Sequence, residues 1–518
     1  MNQKSRAYNS IFNSLVGIIS AILNVALNFF VRIVIVRTLG EEVNGVHSLF
    51  QNIINMMAVV ETSMCTAMII HLYEPIKHDD VKELSRILSF YNKIYMILSA
   101  GFLAVGGILN LFLDALITTN IPMRDAHLYF FLFTLSIAVS YLTYTYRVVL
   151  FAAQKNRISS IATLIAEIIF RGGAALTAIF FHNYKIFLLC FIGEKLFGNL
   201  ICRWYVRKNY KGISCHLKDK DHKNLRDKIM TTVKPLFVSR IADIAQNSSQ
   251  SILISVLLGN VAIVGYYGNY ALIVGSVGLL FSQLGSAFTS SFGNLATEND
   301  KEKMYLAFRK TEFIMTSVAI VICSGFIACI QDFISLAFGA QFLLGNLSVL
   351  ILTFTMFITL LNIPCISVQN ATGSHRADVK NMIIQAVFAV FGGYIGGFLF
   401  GMEGLLLGML IPLVIFTTVC KNLIIQKRIL GKSVLEALKL TMVSFSKGSI
   451  VFAIAVASVS WIDTGSLFVN IFLKGSVTVV VSVSAIVLFS LKNPYLKSTV
   501  RLFFRLIPIS RTKNVANR

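Results

Sequence analysis

Apolar positions in this chain gather into long unbroken runs, rather than the narrow stripes of a soluble amphipathic helix or the alternation of a half-buried strand. Fourteen runs are read, at 11–36, 46–72, 88–113, 127–150, 158–181, 185–206, 230–258, 262–290, 310–331, 345–370, 380–400, 403–425, 441–461 and 467–490. Each approaches or exceeds the ~20 residues that a helix needs to cross ~30 Å of hydrocarbon. Polar and basic residues fill the short segments between them. The pattern predicts an all-α polytopic membrane protein with about 14 transmembrane helices.

One run breaks the rule of apolarity. Within "SRIADIAQNSSQSILISVLLG", residues 239 to 259, stand Arg240, Asp243, Gln246, Asn247 and Gln250. Positions 240, 243, 247 and 250 recur at helical spacing and share one face, while Ile241, Ile244, Leu253, Ile254 and Leu257 occupy the other. A polar stripe of that length is predicted to line a hydrated cavity.

Composition agrees, with 56% hydrophobic and only 14% charged residues in 518. A soluble protein of this length would need a charged surface that is absent here. The net charge of +22 suggests nucleic acid until its distribution is read. With both termini inside, 35 of the 46 lysines and arginines fall in inward segments, nine of them in 203–228. Only Arg37, Arg124, Lys185 and Lys474 fall outside. Cytoplasmic loops retain Lys and Arg, so the asymmetry predicts a multi-pass protein of the cell (inner or plasma) membrane with both termini cytoplasmic. It also accounts for the charge without nucleic acid. The eight cysteines show no CxxC spacing, so neither a disulfide framework nor a metal site is expected. No cleavable signal peptide is expected either, because the first run is too long for one.

Three short matches share one offset of 219 residues: Leu39-Gly40 with Leu258-Gly259, Lys82-Glu83 with Lys301-Glu302, and Ala152 and Arg157 with Ala371 and Arg376. Six spans per copy is an even number, so both copies enter from the same side as parallel repeats. The expected organisation is a six-helix lobe at 1–210, a basic cytoplasmic linker at 211–228 and a second six-helix lobe at 229–430. Helices 13 and 14 follow at 431–491, and a basic tail at 492–518 is expected to rest on the inner leaflet.

Ionisable residues at membrane depth cost about 2.5–3.5 kcal/mol each on insertion scales, so each requires a role. Glu61 lies mid-span, Glu167 and Arg171 are four apart, Glu194 and Lys195 are adjacent, and Arg32 and Arg147 stand near span ends. The bland alternatives are snorkelling for Arg32 and Arg147 and a self-neutralising pair for Glu167 and Arg171. Glu194 and Lys195 point about 100° apart on a helix and are expected to need separate partners. Gly392, Gly393, Gly396, Gly397 and Gly401 form rows that let helices approach closely. No phosphate loop, zinc-protease or nucleophile-elbow motif is found, which lowers the case for a pump driven by hydrolysis or for an enzyme.

Three stretches carry a family resemblance: "VRTLGEEVNGVHSLFQNI" after the first span, "VVETSMCTAMIIHLYEPIKHDD" from Val59, and "LGNVAIVGYYGNYALI" after the seventh. Tyr73, Pro75 and Ile76 match in the second, and Gly265, Tyr267, Asn269 and Tyr270 in the third. Over about residues 8–430 the chain resembles the polysaccharide-unit (Wzx/PST-type) flippases of the multidrug/oligosaccharidyl-lipid/polysaccharide (MOP) exporter superfamily. One departure is that Thr62, Ser63, Met64 and Cys65 follow Glu61, where the family tends to carry glycines. The resemblance implies two lobes in a V around a cavity that opens alternately to each side. It also implies an undecaprenyl-diphosphate-linked oligosaccharide as cargo, with membrane lipids around a monomeric transporter. A polysaccharide polymerase and glycosyltransferases are candidate partners.

A diphosphate in hydrocarbon needs fixed cations, and arginine offers planar bidentate donors. Arg240, Arg32 and Arg171 are the candidates. Glu61, Asp243 and Glu167 are candidates to bind a coupling ion (H+ or Na+) or to balance the arginines, and no other cofactor is expected. The stripe of Asp243, Gln246, Asn247 and Gln250 suits sugar hydroxyls. The rival readings are a cation-coupled multidrug exporter, a lipid II flippase, and a membrane-bound glycosyl- or acyltransferase. The last would need clustered Asp, Glu or His at a membrane face, and the loops lack them.

Overall fold

The computed structural model describes residues 3–153, 155–210, 212–213, 248–298, 300–374, 378–491, 493 and 495–496. Arg240, Asp243, Gln246 and Asn247 lie outside the described residues, as do most of the linker and nearly all of the tail. The described chain is helical throughout: α1 (Gln3–Leu39), α2 (Glu41–Met57), α3 (Val59–Lys77), α4 (Val81–Leu111), α5 (Leu113–Leu116), α6 (Met123–Thr143), α7 (Thr145–Ala152), α8 (Asn156–Phe181) and α9 (Tyr184–Asn209). A short apolar α10 (Ser248–Leu258) follows. Then come α11 (Val261–Thr297), α12 (Lys301–Ala337), α13 (Asn346–Leu361), α14 (Ile363–Thr372), α15 (Val379–Pro412), a brief α16 (Asn422–Ile424) between two π-helical stretches, α17 (Val434–Val459) and α18 (Leu467–Ser490). Nine helices or helix combinations among the described residues are long and apolar enough to cross a membrane.

Several predicted spans are broken internally. The run at 46–72 divides at Ala58 and the run at 127–150 at Tyr144. The run at 345–370 divides at Asn362, where Pro364 occupies the first turn of α14. Proline lacks an N–H, but N–H groups in the first turn have no acceptor within the helix, so it is tolerated there. The predicted turn between 400 and 403 is a reversal at Phe400 and Gly401, the latter at φ 63°. A left-handed backbone of this kind favours glycine, which has no Cβ to clash. The 219-residue offset recurs here too: Gly40 and Gly259 both have positive φ, at 92° and 62°, as do Gly212 and Gly431, at 86° and 70°.

Packing divides the chain into two compact units, drawn from discontinuous segments. One comprises Met1–Gln283, Ala337–Ile351 and Val379–Leu413; the other comprises Leu284–Leu336, Leu352–Asp378 and Val414–Arg518. In the first, α8 lies along α9 and α1, while α6 packs between α4 and α9. Its interior is aromatic, with Tyr91, Tyr95, Phe130 and Phe187 buried. In the second, Phe292, Phe308, Cys365, Val368 and Ile425 form a core, and α17 packs on α18. The outward faces are apolar as well: Ile97 is 70% exposed, Phe180 75% and Phe398 75% in the first unit, and Val480 65% in the second. Such surfaces suit a hydrocarbon solvent and would aggregate in water.

The glycine rows do the work that their spacing predicts. A Cβ on Gly396 would collide with the carbonyl oxygen of Gly404, and one on Gly408 with that of Gly392. The two arms of α15 therefore touch backbone to backbone. Because no flexible side chain can yield, Gly396→Ala and Gly408→Ala are each expected to destabilise by about 1–3 kcal/mol. The same change at Gly107, which has nothing within 4 Å, should be neutral or slightly stabilising. Thermal unfolding of the purified variants in detergent measures the difference.

Candidate functional site

The first unit forms a partly open cavity of about 760 Å³. Its wall is built from two short-period stripes. On α1, Asn24, Asn28 and Arg32 are spaced four apart, so they stack along one face. On α2, Ser48, Gln51, Asn52 and Asn55 do the same at spacings of three, one and three. Glu61 of α3, Phe133 and Ser136 of α6, Arg171 of α8, Phe191 and Lys195 of α9, and Gly268, Gly275 and Ser276 of α11 also line it, with apolar residues such as Val25, Val31, Ile35 and Leu279 between them.

Arg32 is held by neutral acceptors. Its Nε donates to Asn269 Oδ1 at 2.6 Å, and its Nη2 donates to Ser48 Oγ at 2.6 Å and to the Gly265 carbonyl at 3.3 Å. Among the described residues no carboxylate lies within ion-pair distance of it. Two glycines make this seat. A Cβ on Gly265 would strike Asn44 and Gly45, and one on Gly268 would strike Arg32 Nη2 and Ser48 Oγ. The stretch "VGYYGNY" thus brings α11 close enough to α2 for Asn269 to reach the arginine. Asn269 also accepts from Asn44 Nδ2 at 3.3 Å, and the Tyr270 hydroxyl accepts from the Leu344 N–H at 3.1 Å.

Arg171 is placed quite differently. Its Nε donates to Glu194 Oε2 at 2.9 Å, its Nη2 to Glu194 Oε1 and Glu167 Oε1 at 3.2 Å each, and its Nη1 to Asn28 Oδ1 at 2.6 Å. Lys195 Nζ donates to Glu194 Oε1 at 3.1 Å. Asn24 donates to Glu167, and Asn28 Nδ2 donates to Asn24 Oδ1 at 2.7 Å. Two cations and two carboxylates therefore balance in one buried brace across α1, α8 and α9. This corrects the expectation that Glu194 and Lys195 need separate partners. The lysine stem is long enough to fold back onto its neighbour's carboxylate despite the angle between their Cβ directions.

Glu61 lies on the cavity wall with no cation within ion-pair distance among the described residues. Arg147 and Lys195 act on it at longer range. Arg147 donates to Thr163, and its guanidinium lies 5.9 Å from the centroid of the Tyr144 ring, so it is tied into helix packing rather than reaching out of the span. Gln250, the described member of the predicted stripe, accepts from the Tyr267 hydroxyl. The sequence reading missed His47, whose Nδ1 lies 2.8 Å from the Tyr184 hydroxyl and whose ring meets Phe133, Phe187 and Phe191 edge-on. It also missed the amides of α1 and α2, although their helical spacing is legible by the logic applied to residues 240 to 250.

No protein-family model matches the chain, and no curated protein sequence matches it. Solved structures do. The lipid II flippase MurJ in an inward closed conformation aligns with a TM-score of 0.67 and 14% identity, covering 93% of this chain and 99% of that one. An inward-facing multidrug resistance MATE-family transporter of the MOP superfamily aligns at 0.62 and 13% identity, covering 84% of this chain and 94% of that one. A MOP-superfamily transporter from Pyrococcus furiosus aligns at 0.58 and 14% identity, with 82% and 96% covered. The chain is a multi-pass membrane protein with the fold that these MOP-superfamily transporters share.

Proposed function

We propose that this protein is a flippase that moves an undecaprenyl-diphosphate-linked oligosaccharide unit from the cytoplasmic to the outer face of the cell membrane by alternating access. The observation that carries the reading is Arg32, which meets no carboxylate among the described residues, set in one cavity with amide and hydroxyl side chains on its wall. A diphosphate takes the guanidinium through charge-assisted hydrogen bonds. Sugar hydroxyls take Asn24, Asn28, Gln51, Asn52 and Asn55, each of which both donates and accepts. Arg240 would add a second cation, and Asp243, Gln246, Asn247 and Gln250 would extend the polar wall. The polymerase and glycosyltransferases that use and make such a unit are its expected partners.

The same lining fits the diphosphate of a lipid II-type cargo, so the saccharide is the discriminating part. A cation-coupled drug exporter is the second reading, favoured by the Glu61 carboxylate on the wall, which has no cation within ion-pair distance among the described residues. In the flippase reading, Glu61 binds a coupling H+ or Na+, while Glu167 is occupied with Arg171 and Asn24.

Drive need not come from an ion gradient. A diphosphate diester is ionised at both phosphorus atoms, and moving two charges outward across ~100 mV releases roughly 4–5 kcal/mol. Proteoliposomes holding the lipid-linked oligosaccharide are therefore expected to transfer it outward faster under an inside-negative potential, with no proton or sodium gradient present. Transfer indifferent to potential but dependent on one ion gradient would shift the drive to Glu61. Drug transport without movement of the lipid-linked oligosaccharide would overturn the flippase reading.

A further inference from the structure

A second charged cluster lies away from the cavity, where α7, the start of α8 and the end of α9 meet. Arg203 and Arg207 of α9 set their guanidinium carbons 5.4 and 5.7 Å from the centroid of the Tyr146 ring. Lys155 Nζ, at the N-cap of α8, lies 4.9 Å from the Tyr210 ring centroid and 5.8 Å from that of Tyr205. Lys208 Nζ lies 5.0 Å from the Trp204 ring, and Trp204 itself is 62% exposed.

Some basic residues near other helix ends are neutralised. Arg86 pairs with Glu83, Lys303 with Glu298 and Asp300, and Lys432 with Glu302. Among the described residues, none of Lys155, Arg203, Arg207 and Lys208 has a carboxylate within ion-pair distance. The first turn of α8 carries no acidic residue either, so the positive end of its helix dipole is not offset there. Ring faces hold these cations in place without using up their N–H donors. A planar guanidinium held in this way still offers a fork that matches a phosphate. Aromatic residues at the ends of membrane helices sit at headgroup depth, where such an anion would be met.

We propose that this cluster is a binding site for the phosphate of an anionic phospholipid headgroup, separate from the transport cavity. Its occupant is a lipid of the surrounding leaflet rather than the cargo. The four cations supply the attraction, and Trp204 and the tyrosines seat the glycerol and upper acyl region beside them.

The chain contains two tryptophans, so Trp461→Phe leaves Trp204 as the only indole. Trp461 is 89% exposed, which makes that change benign. The full chain is reconstituted in vesicles of mixed phosphatidylglycerol and phosphatidylcholine, with bromine on the acyl chains of one lipid or the other. Brominated phosphatidylglycerol is expected to quench Trp204 at least about twofold more than brominated phosphatidylcholine at equal mole fraction, since each basic residue near the surface favours the anionic lipid. Replacing Lys155, Arg203, Arg207 and Lys208 with glutamine should bring the ratio to one, and Lys208→Arg should preserve it. Equal quenching by the two lipids in the Trp461→Phe protein would overturn the proposal, whether or not the glutamine variant folds. Loss of the preference on adding inorganic phosphate would overturn it as well, because the site would then serve a soluble anion.

Discussion

Arg171→Gln is expected to remove most of the folded protein from the membrane, not merely to slow transport. The guanidinium is buried and meets Glu194, Glu167 and Asn28 at once. Taking it away leaves two buried carboxylates with only Lys195 between them. Breaking a buried ion pair by removing one partner costs about 3–5 kcal/mol, against a total stability of ~5–15 kcal/mol for a typical domain. Neutralising the whole brace, with Arg171→Met, Glu167→Gln, Glu194→Gln and Lys195→Gln together, should recover much of that loss, because no charge is then stranded. Membrane abundance and the detergent unfolding temperature read both variants. A folded, abundant Arg171→Gln protein that fails only in transport would return Arg171 to the role of a substrate-binding cation.

Arg32→Ala should behave in the opposite way. Its three partners are neutral, and Asn269 and Ser48 keep other hydrogen bonds, to Asn44 Nδ2 and to the Asn44 carbonyl. Little folding energy depends on the arginine. A hydrogen bond to a charged group contributes about 1.5–3 kcal/mol, so if the cargo is the proposed diphosphate, losing this contact should lower transport by roughly 10- to 150-fold. Lys keeps the charge but not the planar fork, so Arg32→Lys should fall between the two. Asn269→Ala, which frees the guanidinium without removing it, should weaken apparent affinity more than it lowers maximal rate. The proteoliposome assay with lipid-linked oligosaccharide, normalised to protein in the membrane, separates these cases. Unchanged transport by Arg32→Ala would remove the cation on which the flippase reading rests.

Much of the scaffold was legible because membrane solvation acts on sequence locally. A helix in hydrocarbon must satisfy its own backbone, so each span is written as a continuous apolar run. The reversal at Gly401 and the close arms of α15 were legible for the same reason: glycine spacing is a local property. Breaks at Ala58 and Tyr144 were not, since neither residue carries a turn signal and hydropathy does not report backbone direction.

At the site, the sequence by itself determined which groups could not face lipid. Arg32, Glu61, Glu167, Arg171, Glu194 and Lys195 all stand out, since a charge at membrane depth is costly wherever it lies. The asparagines of α1 and α2 are cheaper to bury and were passed over, although their spacing is as regular. Only the tertiary structure decided which groups each charge meets. In sequence Glu167 stands four residues before Arg171 while Arg32 has no acidic neighbour at that spacing, but neither pattern names the partners that lie on other helices. Arg171 is neutralised by Glu194, 23 residues away, and by Glu167; Arg32 is seated by Asn269, 237 residues away, through a glycine-lined helix contact. Hydropathy along the chain measures the cost of a charge, whereas its role depends on which partners packing brings within about 3 Å, and that distance is set across helices.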